Sequence, residues 1–217
     1  MDTLLWHSFL VALAGGVLAL DRTAVFQIMV SRPIVTGPII GLLFERPEAG
    51  LMVGFLLELL WIGELPVGGS IPAHETAAAI IAAGVAVGVE KGPGGLNREL
   101  IAFIVLLVIP VAMVCQWVDK AIRDFNSRLD RLTERYVSRV GMYNLMGVIV
   151  FLLPNMLLFF VFTFLGIIGV SYTAPYLTGV VRSALLGVFF FIPLIGIAVV
   201  FNTARDKRTV RIYGGQG

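Results

Sequence analysis

The chain has 217 residues, 58% of them hydrophobic and 14% charged, with a formal net charge of +2. Soluble domains run at about 45–50% apolar and about 25% charged, so this balance excludes an ordinary soluble fold and indicates one membrane domain. The small net charge, with no basic tract interleaved with aromatics, excludes a nucleic-acid partner; the single cysteine, Cys115, excludes a disulfide framework and a thiolate zinc cluster.

In chain order, residues 4–20 are apolar and Asp2 is the only early charge. With no basic n-region, this segment reads as a retained helix and not as a secretory signal. His7, near its start, reads as an interfacial polar group. A polar cluster follows at Asp21, Arg22, Gln27, Ser31 and Arg32. Asp21 and Arg22 read by default as a solvated loop. The other reading has Asp21, Gln27 and Arg32 facing a shared cavity. Arg32 precedes Pro33 and is therefore restricted to extended backbone, so a helix ends or restarts there.

Residues 33–89 are apolar throughout, yet they are cut by Gly41, the Glu45-Arg46-Pro47-Glu48 turn, Gly63, the Pro66 to Pro72 stretch and Gly84. Pieces of about 12 residues cannot cross a bilayer alone, which predicts half-helices, re-entrant hairpins or tilted broken spans. Such backbone is tolerated only where protein covers it or where it lines a wet cavity, so this region is the place to look for function.

Three carboxylates, Glu58, Glu64 and Glu75, fall in this greasy region. Intramembrane acids are costly and face a cavity or a partner. Sugar hydroxyls donate and accept, and a carboxylate accepts from two of them at once. Trp61 offers an apolar face to a pyranose ring, or simply packs. Glu58 carries the strongest case, against the alternative that it pairs internally with Arg32. Gly68 and Gly69 let backbone approach a ligand, and Ser70 beside them is a further candidate contact. A helix is expected to begin near Pro72 to Glu75 with its free N–H groups aimed into the break. Glu75 then either meets substrate or offsets the dipole of that helix start. His74 either touches substrate or caps the same helix.

Spans are expected at 101–118, 142–168 and 183–201. Cys115 lies in the first of these and reads as a packed thiol. Residues 119–140 carry Lys120, Arg123, Arg128, Arg131, Arg135 and Arg139, and the tail at 202–217 carries Arg205, Lys207, Arg208 and Arg211. The positive-inside rule puts both segments in the cytoplasm. Val118, Ile122, Phe125, Leu129, Leu132, Tyr136 and Val140 recur at three- and four-residue steps, giving an amphipathic helix. It lies at the headgroups, or it is an arm that holds a partner subunit or a second copy. The expected fold is therefore all-α: a polytopic integral membrane protein with broken or re-entrant helices in its N-terminal half and a cytoplasmic amphipathic helix. His7 and His74 have no metal-site spacing, and no P-loop, GxSxG elbow or paired-His zinc motif is present. Neither a catalytic constellation, a metal nor a cofactor is expected.

The ordered set Asp21, Gln27, Ser31-Arg32-Pro33-Ile34-Val35, Gly41, Gly50-Leu51, Gly54, Glu58-Leu59, Trp61, Gly63 and Pro66-Val67-Gly68 resembles the enzyme IIC subunits of the mannose/fructose/sorbose phosphotransferase family. The likeness is good over residues 15–90, looser at Asn126-Ser127-Arg128-Leu129 and faint beyond. It implies one IIC membrane domain in a homo- and hetero-oligomeric complex with a IID membrane subunit and cytoplasmic IIA and IIB proteins. A hexose-like sugar would cross the lipid through the IIC–IID pair by an elevator-like movement. It would then receive phosphate from a phosphohistidine on IIB, so the phosphoryl chemistry would belong to partners. Glu58 aligns with the family glutamate. The alternative is a regulatory membrane component of the same system that moves little sugar. The chain departs from the family where a Pro-Asp pair is replaced by Ala73-His74-Glu75, and its C-terminal half is shorter.

Overall fold

The structure is a computed structural model and describes residues 1–22, 28–62, 73–91, 95–135 and 140–213. The regular structure among them is helical: α1 Asp2–Leu20, α2 Pro33–Leu42, α3 Pro47–Trp61, α4 Glu75–Glu90, α5 Arg98–Arg135, α6 Val140–Thr173 and α7 Gly179–Tyr213, with a 3-10 turn at Ala174–Tyr176. Among the described residues, four helices are long and apolar enough to cross a membrane: Asp2–Leu20, Arg98–Leu129, Val140–Tyr176 and Gly179–Asn202. The chain is a multi-pass membrane protein. Between the first span and the other three lie the short elements. Helices α2, α3 and α4 have 10, 15 and 16 residues. At 1.5 Å per residue they reach about 15, 22 and 24 Å, short of a hydrocarbon layer of about 30 Å.

Proline and glycine punctuate this region. Arg32 is extended (φ −67°, ψ 140°) and Pro33 opens α2; Pro47 opens α3 in the same way. Between them the chain reverses, with Glu45 in left-handed backbone (φ 62°) and the Arg46 N–H donating to the Gly41 carbonyl at 2.9 Å. The two helices then pack backbone to backbone. Each carries a Gly-xxx-Gly pair, Gly37 and Gly41 on α2, Gly50 and Gly54 on α3. A Cβ on Gly37 would strike the Gly50 carbonyl oxygen, and one on Gly54 would strike that of Pro33. Small residues at this spacing are what lets two helices approach without water to drive them together.

Helix α4 is the hub. Nearly every residue from Thr76 to Val87 is buried, and a helix apolar all round belongs in the interior. Its alanines let neighbours close in on every side. Val11 of α1 and Thr163 of α6 approach Gly84, while Ile80 lies against Gly15 of α1. Helix α5 passes the start of α4, where the His74 N–H donates to the Ala112 carbonyl at 3.5 Å. Leu59 of α3 meets Gly196 of α7.

Two local features go beyond the sequence reading. His7 is buried against protein: its Nε2 sits 2.9 Å from the Gly84 carbonyl oxygen, and its ring stacks on Phe44 at 4.0 Å. The close approach of α1 to α4 at Gly84, where Val11 also comes near, brings His7 to this carbonyl. Residues 119–135 continue α5 without interruption, giving one helix of 38 residues.

Candidate functional site

The break between α3 and α4 gathers charge. Arg32 lies just before α2, Glu58 one turn from the end of α3, and Glu75 in the first turn of α4. The Arg32 guanidinium Nη1 stands 3.6 Å from Glu58 Oε1 and 3.6 Å from Glu75 Oε2. The side chains are 33%, 16% and 19% exposed for Arg32, Glu58 and Glu75, so the cluster is half sheltered and not dry. Glu58 Oε2 also accepts a long bond, 3.4 Å, from the Ile34 N–H at the open start of α2. Helix starts leave such N–H groups free, and an acid there is favoured by both the hydrogen bond and the dipole. The internal pairing of Glu58 with Arg32, set against ligand contact in the sequence reading, is thus present.

Asp21 is not in a solvated loop. It is 7% exposed, and its two oxygens accept the Ile28 N–H at 2.9 Å and the Ser31 N–H at 3.1 Å. Burial pushes this carboxyl up, but the bonds from Ile28, Ser31 and Val30 outweigh it and hold the group below its ordinary 3.8. Asp21 thereby ties the end of α1 to the segment that delivers Arg32. Thr36 reinforces the same segment through a 2.9 Å bond from its Oγ1 to the Val30 carbonyl.

His74 caps α4: its Nδ1 accepts the Ala77 N–H at 3.1 Å. The ring is 1% exposed, and Nε2 is buried with no hydrogen-bond partner among the described residues. Trp61 is 6% exposed and packs in the core, which leaves its ring face closed in this state. Gln27, Glu64, Gly68, Gly69 and Ser70 lie outside the described residues. The structure therefore brings together Arg32, Glu58 and Glu75, sets His74 one residue away, and gives Asp21 a positioning task.

Three further charges belong to this end of the bundle. Arg22, at the end of α1, interacts electrostatically with Asp119 of α5 and with Glu75, and His74 lies in the field of Arg22 and Arg123. Asp119 is 1% exposed and accepts from Arg123 Nε at 3.0 Å. The signal for Asp119 was present in sequence, an acid ending an apolar run, but its burial depends on the neighbour that covers it. Donors and acceptors alternate within a few ångströms across the site, which suits a polyhydroxylated solute: carboxylates accept from hydroxyls, and the guanidinium donates to ring or hydroxyl oxygens.

Residues 5–213 match the family described as the sorbose-specific IIC component of the PTS system. The chain belongs to the PTS sorbose-specific IIC family. The Putative N-acetylgalactosamine permease IIC component 2 of Escherichia coli (strain K12) is 34% identical to this IIC chain over 56 residues, 26% of this chain and 42% of that protein. The alignment thus spans less than half the length of that curated relative. A solved chain titled "Structure of membrane protein" superposes with a TM-score of 0.72 at 17% identity, covering 98% of this chain and 84% of that one. A chain of the mannose transporter ManYZ in complex with Microcin E492 superposes at 0.55 with 18% identity, covering 98% and 84%. Both share the fold of this IIC protein.

Proposed function

We propose that this IIC chain is the sugar-translocating membrane subunit of a mannose-family phosphotransferase system. It binds a hexose-like sugar at the α3–α4 break and passes it inward, with a IID subunit beside it and with IIA and IIB carrying the phosphoryl group. The observation that carries the reading is the Arg32 guanidinium held between Glu58 and Glu75 at 3.6 Å from each. A charged triad in a broken apolar region is expensive and is retained where a polar solute passes. Sugar hydroxyls would enter between the acids and the guanidinium, exchanging two long ion contacts for several short hydrogen bonds. His74, next to Glu75 in the chain, has a buried Nε2 with no hydrogen-bond partner among the described residues, one further polar atom that a rearrangement of the break could offer to the sugar.

The second reading, a regulatory component that moves little sugar, draws on the same contact: with Arg32 engaged by both acids, the site stands locked. The test expresses the chain with its IID, IIA and IIB proteins and measures sugar-phosphate accumulation. Glu58→Gln is expected to cut accumulation by about tenfold or more, the scale of one lost charge-assisted hydrogen bond. Unchanged accumulation in that variant removes Glu58 from the site. An intact wild-type system that accumulates no sugar phosphate favours regulation.

A further inference from the structure

Where α1 ends, α4 begins and α5 passes, each contributes a buried polar atom that has no hydrogen-bond partner among the described residues. Asp119 on α5 is 1% exposed; its Oδ2 accepts from Arg123 Nε at 3.0 Å, and its Oδ1 is the unpartnered atom. Just past α1, the unpartnered atom of Arg22 is Nη1, and the Arg22 charge interacts with those of Asp119 and Glu75. His74, before α4, is the third. Its Nδ1 is taken up as acceptor of the Ala77 N–H, so the ring proton sits on Nε2, and that buried donor is bare. The ring lies in the field of Arg22 and Arg123.

Native interiors pair nearly all their buried polar groups, because a group left bare has given up its bonds to water for nothing. The set here is mixed: Arg22 and His74 are donors and Asp119 is an acceptor. The charges around it balance, with Arg22, Arg32 and Arg123 against Glu58, Glu75 and Asp119. An anion would meet the bare Asp119 oxygen, and a cation would meet the Arg22 guanidinium. A neutral compound carrying hydroxyls suits both, since each hydroxyl donates and accepts.

We propose that Arg22, His74 and Asp119 form a second hydroxyl-binding subsite, separate from the Arg32–Glu58–Glu75 triad and one step further inward, which holds the sugar before its release. This subsite rests on the translocating role given above. The order of the two sites follows from α5. The His74 N–H meets the Ala112 carbonyl, and Asp119 stands two turns on from Ala112, about 10 Å further along the helix. Lys120, Arg123, Arg128 and Arg131 come next on α5, so the positive-inside rule turns this direction to the cytoplasm. A solute leaving the triad inward passes Arg22 and Asp119, whose unpaired atoms take its hydroxyls. Water offers the same chemistry, and substrate analogues separate the two.

The full chain, expressed with its IID, IIA and IIB proteins, is given labelled hexoses and their 2-amino and 2-acetamido derivatives. The compound that accumulates fastest as its phosphate is then followed together with its monodeoxy analogues. Arg22→Gln and Asp119→Asn are each expected to lower the maximal rate about tenfold, the scale of one charge-assisted hydrogen bond, and to change the half-saturating concentration less than about threefold. Glu58→Gln, at the triad, should raise that concentration. One deoxy analogue should lose about tenfold in the wild type and nothing further in Asp119→Asn, which marks its missing hydroxyl as the group Asp119 holds. Equal slowing of every compound by Asp119→Asn would assign the buried atoms to water, and unchanged rates in both variants would assign them to the fold. Either result overturns the subsite and leaves the triad standing. A wild-type system that accumulates none of the compounds removes the translocating role, and the subsite with it. Arg22→Lys, which keeps the charge, should show the same split at smaller size and carries the comparison if either other variant fails to fold.

Discussion

The Arg32 guanidinium and the Glu58 carboxylate face one another at 3.6 Å across the gap between the start of α2 and the end of α3. The contact exists because α2 and α3 reverse on a glycine seam, which returns the end of α3 to the level where α2 began. Glu75 enters the same contact from α4, so a single arginine serves two acids. Its loss leaves two like charges near one another.

A double-mutant cycle measures this pairing. Arg32→Gln and Glu58→Gln should each lower thermal stability in detergent, and the double variant should lose less than their sum. For a pair this exposed, the coupling should be about 1 kcal/mol or below. Strict additivity would show that the two charges share no energy.

The α2–α3 seam predicts a steep response to one methyl group. Gly50→Ala places a Cβ against the Gly37 carbonyl, a backbone atom that can move only if the hairpin opens. A loss of about 1–3 kcal/mol is expected, together with reduced transport, because the hairpin positions Arg32 and Glu58. Gly187→Ala is the matched control. A Cβ there meets nothing within 4 Å, and the helix should gain about 0.5–1 kcal/mol from the better helix former. Unfolding curves of the two variants that moved in the same direction would contradict the packing argument.

Removing the His74 cap should destabilise α4. His74→Ala deletes the acceptor for the Ala77 N–H and opens a hole at a residue 1% exposed, with an expected cost of about 1–2 kcal/mol. His74→Asn should recover part of that stability, since asparagine caps well. Should sugar also use Nε2, His74→Asn will restore stability without restoring transport. Equal recovery of both would assign His74 a purely structural task.

Asp21 gives the stability a defined response to acid. Its carboxyl is held below its ordinary 3.8 in the folded protein, so its contribution is complete above that value and is lost as pH falls through the lower folded value. The stability difference between wild type and Asp21→Asn should therefore be constant near neutrality and shrink below about pH 4. A difference that grows on acidification would contradict the hydrogen bonds from Ile28 and Ser31.

Much of the fold was legible in the residues. A helix restarts at Pro33, the chain reverses at the Glu45 to Glu48 turn, the start of α4 falls within the expected window at residues 72–75, and the apolar runs at 4–20, 101–118, 142–168 and 183–201 all lie within long helices. These signals are local, since a proline ring or twenty apolar side chains in a row acts on its own segment. The fate of His7 was not legible, because a histidine in an apolar run is equally suited to a headgroup or a buried carbonyl. Asp21 hid for a related reason: its partners are backbone N–H groups, which leave no mark in sequence. The paired Gly-xxx-Gly spacing on α2 and α3 was visible but carries no meaning until the two helices are known to face each other.

By itself, the sequence determined the membrane class, the short broken elements between residues 33 and 89, and the presence of unbalanced acids within them. Hydropathy and backbone breaking are properties of neighbouring residues, and they need no fold to act. Only the tertiary structure decided which base meets which acid. Charge pairing depends on distances between segments remote in sequence, and those distances are set by how closely glycine and alanine faces allow the helices to pack.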